Sequence, residues 1–144
     1  MQLMNLPNEL LDLIGQKLDV ASLISFEAAH RRLQEVSANM PKFIKETKLP
    51  MRTIGYLRRN GASVRSLDLS DCHPDDERIR SVVQSCPQLK DLKLVNSGLC
   101  YERLLDMIGP LKQLKTLSFT LWSSEYFPLT ATHLESLRQI RKLY

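Results

Sequence analysis

Two rhythms of apolar residues divide the chain. Near the front, Leu10, Leu11, Ile14 and Leu18 recur every three or four positions, the spacing of one helix face. Pro7 suits a first helical turn, and Glu9 favours the positive end of the helix dipole. Asp19 is a reasonable N-cap for a second helix. Its buried stripe would be Leu23, Phe26, Ala29, Leu33 and Val36, and Asn39 and Pro41 would end it. A short third helix would hold Phe43 and Ile44.

Further along, the rhythm changes to a fixed interval. VRSLDLSDC (64–72), LKDLKLVNS (89–97) and LKTLSFTLW (114–122) share one frame, and Val64, Leu89 and Leu114 are 25 residues apart. Within each frame Leu67, Leu92 and Leu117 are followed two places on by Leu69, Leu94 and Phe119. That pairing puts both members on one face of a strand. Ten and seven places upstream stand Ile54 and Leu57, Ile79 and Val82, Leu104 and Met107. A three-residue spacing is helical, so each unit predicts a helix followed by a short strand. One such unit cannot cover its own apolar side, whereas stacked units bury a continuous core. The expected class is α/β.

The residues between the inward ones face outward on such strands. Ser66, Asp68, Ser70, Asp91, Lys93, Val95, Thr116, Ser118 and Thr120 are therefore the candidate binding surface. A fourth unit is expected around Leu134, Leu137 and Ile140, either as a strand 23 residues after Leu114 or as a capping helix. In the strand alternative, Lys142 falls on an inward site. Trp122, Tyr126 and Phe127 are expected to close the open end of the stack.

The front raises a different question. A helical piece of about 40 residues hides little apolar surface by itself. This one carries Leu6, Leu10, Leu11, Ile14, Leu18, Leu23 and Phe26. Surplus apolar surface on a short module implies a partner.

Composition narrows the functional classes. The chain has 144 residues and a net charge of +4, compatible with one domain or two small ones. No run of about 18 apolar residues predicts a membrane span. No basic residue precedes Lys17, which argues against a secretory signal or an Arg-rich transit peptide. Three cysteines without CxxC pairing fit a reducing, cytoplasmic and/or nuclear setting. The spacings of Cys72, His73, Cys86 and Cys100 suit no usual zinc ligand pair. His30, His73 and His133 have no evident nucleophile partner, and neither a Gly-rich phosphate loop nor HExxH is present. We expect no catalysis, no cofactor and no metal. Residues 42–65 hold seven basic side chains against Glu46 alone. Only Phe43 and Tyr56 fall among those charges, short of the repeated stacking platforms a single-strand nucleic-acid binder requires, so they read as a solvated face.

Both halves resemble known families. Leu6-Pro7-Asn8-Glu9, then Leu10, Leu11, Ile14, Leu18, Leu23 and Phe26, then Ala29, Arg31 and Arg32, is similar to an F-box. Leu33 stands where that family has Trp. The later units resemble cysteine-containing leucine-rich repeats, with Cys86 three places before Leu89 and Cys72 eight after Val64. Gly61 and Leu111 fill the leading Cys position elsewhere, and Ser97 and Trp122 the trailing one. The resemblance implies a small all-α F-box module over 3–46. A short leucine-rich-repeat solenoid follows over 47–144, a right-handed α/β horseshoe segment of three to four units with a C-terminal cap. It further implies a substrate receptor of an SCF-type ubiquitin ligase. Leu6, Pro7, Leu10, Leu11, Ile14, Leu18, Leu23 and Phe26 would dock on a Skp-family adaptor and, through it, on a cullin scaffold. The repeats would hold an unknown target protein, without nucleic acid or membrane. The alternative keeps the architecture as a non-catalytic scaffold or assembly factor outside ubiquitination, including a mitochondrial coupling-factor-like role.

Overall fold

The computed structural model describes residues 2–73, 76–120, 138 and 140–143. Three helices come first: α1 (Asn8–Gly15), α2 (Val20–Ala29) and α3 (Arg31–Asn39). Strands and helices then alternate as β1 (Lys42–Lys45), α4 (Met51–Asn60), β2 (Val64–Asp68), α5 (Asp76–Gln84), β3 (Asp91–Leu94), α6 (Tyr101–Ile108), β4 (Thr116–Phe119) and β5 (Lys142–Leu143). The strands form one parallel sheet in the plain order β1-β2-β3-β4-β5. Each of α4, α5 and α6 fills one crossover, and they pack side by side. The chain is thus a mixed α/β protein with a parallel sheet.

Register follows the 25-residue interval. Leu67 pairs with Leu92 and Leu92 with Leu117, and all three are fully buried. Val64, Leu89 and Leu114 line the same interior, facing Ile54 and Leu57 of α4, Ile79 and Val82 of α5 and Leu104 and Met107 of α6. Burying each such side chain contributes about 1.5–3 kcal/mol. Gly61 occupies a leading position because nothing larger fits. A Cβ there would stand 1.8 Å from the Ser85 carbonyl oxygen of the next unit. Cys86 fills the equivalent place one unit on, buried, with its thiol on the Val82 carbonyl. Burial pushes that thiol up to about 12, so it acts as a small apolar residue. At the strand exits Asp71 and Asn96, also 25 residues apart, adopt positive φ, which short polar side chains tolerate. The Asn96 amide donates to the Asp71 carboxylate at 2.9 Å.

Three expectations are corrected. The second helix is in fact two, broken at His30, whose backbone is extended. Its Nδ1 accepts the Arg32 N–H at 3.1 Å and so caps a new helix, a local bond that competes with helix continuation. Ala29 is exposed in consequence, outside the buried stripe. Phe43 and Ile44 lie in a strand, not a short helix. Ile44 joins the Leu67 row and Phe43 points out beside Ser66, the alternation of a strand. That strand belongs to the sheet, although the sequence assigned it to the helical module. The last strand pairs Leu143 with Leu117, a step of 26 residues, so Ile140, and not Leu137, takes the leading position. Lys142 pairs with Thr116 on the open side and is exposed, which spares it burial. Trp122, Tyr126, Phe127, His133, Leu134 and Leu137 lie outside the described residues.

Candidate interaction surfaces

The helical front is fastened from inside by a polar clamp. The Arg32 guanidinium donates to the carbonyls of Met4 and Leu6 and to the Asn8 side chain. This binds the 3-10 turn at Leu3–Asn5 and the start of α1 onto α3. Beneath it Leu11, Phe26 and Leu33 form a small core, with Leu6 and Leu18 half-buried against it. The asymmetry leaves Leu10, Leu13 and Ile14 on the outside of α1, at 45%, 55% and 37% exposure. Spacings of three and four put them on one face.

Of the residues predicted to meet an adaptor, Leu10, Ile14 and Pro7 are exposed, and Leu6 and Leu18 partly so. Leu11, Leu23 and Phe26 are interior. They support the surface and do not belong to it: Leu11 and Phe26 fill the front's own core, and Leu23 joins the larger core under the sheet. Leu13 was missed, though its i+3 spacing from Leu10 signals it.

The open face of the sheet gathers the other predicted set into rows. One row runs Phe43, Ser66, Asp91, Thr116, Lys142, and the next Lys45, Asp68, Lys93, Ser118. Ser70, Val95 and Thr120 follow at the strand exits. Lys93, Val95 and Thr120 are exposed, whereas Ser118 is buried and so drops out of the accessible set. The Asp68 carboxylate accepts the Ser70 N–H at 3.0 Å, and the Thr120 hydroxyl accepts the Asn96 N–H at 3.3 Å. Phe43, half exposed, and Lys45 extend the face onto β1. The apolar–basic alternation of KFIK was their signal.

A buried polar joint connects the two surfaces. Lys42 stands beside Val64 in a row otherwise apolar. Its ammonium donates to the Ser37 carbonyl at 2.7 Å and to the Ser63 hydroxyl at 2.8 Å. Burial lowers its pKa, and the Glu27 and Asp12 carboxylates oppose that shift. Glu27 of α2 accepts from Ser37 of α3 and from the Tyr56 hydroxyl of α4 at 2.6 Å. Burial, then the Glu27 hydrogen bond and charge, push Tyr56 up. Glu46, just past β1, accepts the Val20 N–H at the start of α2 at 3.0 Å. Its carboxyl is raised, chiefly by burial. Asp19 caps the same helix through Ser22, which lowers its pKa.

The basic run over 42–65 does not gather on one face. Lys42 is buried, Lys45 lies on the open sheet face, and Lys48 lines a hollow with Asp71 and His73. Arg58 faces a groove between α4 and α5, and Arg59 a cleft against α2 and α3. Among the described residues no three His, Cys, Asp or Glu side chains cluster as a metal site, and no helix is long and apolar enough to cross a membrane. No family model matches the chain, and no curated protein matches it.

Proposed function

We propose that the chain is a non-catalytic receptor subunit, with an F-box-like module over 3–46 and a leucine-rich-repeat stack over 47–144. The α1 face docks on a Skp-family adaptor and, through it, on a cullin scaffold. The open sheet face holds a target protein for ubiquitination. The observation that carries this reading is the exposed Leu10, Leu13 and Ile14 face, joined through a polar network to a sheet whose leucines align at a 25-residue step. Each side chain buried by a partner contributes about 1.5–3 kcal/mol before association costs. The chain's own contribution to chemistry is proximity, since it raises the local concentration of target lysines near the reactive thioester.

Co-precipitation with the adaptor and cullin tests the reading. Leu10→Asp/Leu13→Asp should abolish adaptor capture without changing the melting curve. Undiminished capture by that variant would remove the docking face. Capture of the adaptor with no cullin-dependent turnover of any associated protein would favour the scaffold alternative.

A further inference from the structure

One residue after each leading apolar position stands a cation: Arg65 after Val64, Lys90 after Leu89, Lys115 after Leu114 and Arg141 after Ile140. Backbone hydrogen bonds tie these four directly together. The Lys90 N–H donates to the Arg65 carbonyl, Lys115 to Lys90 and Arg141 to Lys115, each at 2.8 Å. Adjacent strands lie about 4.8 Å apart, so the four form a straight file about 14 Å long across the strand entrances. Lys90, Lys115 and Arg141 are exposed. Arg65 is half-buried and donates to the Ala62 carbonyl. Among the described residues no carboxylate forms a salt bridge with a member of the file.

Like charges on directly paired strands repel. Here the same sign recurs at the entrances of four consecutive strands. A bound polyanion relieves that repulsion and gains from all four charges together. We propose that this file binds an acidic segment of a partner protein. The inference rests on the receptor reading only in that it makes this partner the target.

The geometry favours a peptide over a nucleic-acid strand. Side chains on one side of an extended peptide recur about every 6.5–7 Å. Three carboxylates therefore fit along the file, within reach of flexible Lys and Arg termini. A single nucleic-acid strand requires stacking platforms. Among the described residues the exposed aromatic of this face is Phe43, which stands on β1, where the bulge between Lys42 and Phe43 leaves the file without a member. Asp91 and Asp68, deeper along the strands, confine an anion to the strand entrances.

Fluorescence anisotropy on the full chain tests the proposal with labelled hexaglutamate as probe. Hexaglutamine and an oligothymidylate of about twelve nucleotides are the rivals. Hexaglutamate should bind, weaken as salt rises, and lose at least about tenfold in affinity to Lys90→Glu/Lys115→Glu. Lys112→Glu alters an exposed lysine off the file, bonded to the Gly109 carbonyl, and should change affinity by less than about twofold. Should the double reversal not fold, Lys90→Gln/Lys115→Gln gives the same readout. The proposal is overturned if wild type ignores hexaglutamate, if hexaglutamine binds equally, if Lys112→Glu is as damaging, or if the oligonucleotide binds more tightly. Adaptor capture is read separately. Capture without peptide binding overturns the file alone, and peptide binding without capture overturns the receptor reading alone.

Discussion

The helical front and the sheet solve the same packing problem in opposite ways. Under the sheet, leucines stack strand upon strand, and among the described residues of this part Phe43, Met51 and Val95 are the large apolar side chains left outside. The front encloses a core of its own from Leu11, Phe26 and Leu33 and leaves Leu10, Leu13 and Ile14 in water. What holds the front in place is mostly borrowed. Val20, Leu23 and Met40 sink into the sheet's core, and Lys42, Glu27, Tyr56 and Glu46 lace the two parts together. A module supported from behind can expose an apolar face that a free-standing one would have to bury.

The sharpest way to break this contrast is Leu92→Asp. A carboxyl in the middle of the leucine row has no partner, and burying it, charged or protonated, takes several kcal/mol out of a net stability that is only about 5–15 kcal/mol for a typical domain. No cooperative thermal transition should remain, and a native-like melt would show the row to be misread. Gly61→Ala should follow, costing about 3 kcal/mol in urea unfolding, because the added methyl meets backbone and not a mobile side chain. If the variant is as stable as wild type, the close approach of the units at Ser85 is absent in solution.

A neighbouring pair on α1 compares inside with outside. Leu11→Ala should lower unfolding free energy by about 2–3 kcal/mol. Leu10→Ala should stay within about 0.5 kcal/mol while weakening adaptor capture. Equal effects on stability would mean α1 is rotated from the orientation described. The smallest effect is expected at Glu46. Burial raises its folded pKa above the ordinary 4.5, so its ionisation weakens the fold as pH rises through that window. Glu46→Gln should therefore raise Tm slightly at neutral pH. The gain should shrink as pH falls through that window and vanish well below pH 4.5, where folded and unfolded carboxyls are both protonated. A gain that persists in acid would point to some cause other than charge.

The sheet was largely legible because its message is repeated. Leu67, Leu92 and Leu117 make one statement three times, and burial in a shared row enforces it. Features stated once were harder. The break at His30 depends on one ring nitrogen taking an N–H from its own helix, a competition no periodicity records. β1 went unread because its four residues include a lysine on the inward side, made tolerable by Ser37 and Ser63 from elsewhere in the chain. The strand of the expected fourth unit, β5, stands three residues later than the 23-residue step expects because its step is 26. On α1 apolar residues occur on both sides, so the pattern could not say which side turns in. Arg32, reaching across from α3 to the Met4 and Leu6 carbonyls, decides it.

The plain strand order carries one more implication. Every strand touches only the strands before and after it in the chain, so a duplicated stretch of 25 residues could be spliced between two existing ones without rewiring any other pairing. The row of cations at the strand entrances would lengthen by one with each copy, and so would the leucine row beneath. Insertion of a whole unit would thereby change the reach of this face without requiring a new fold.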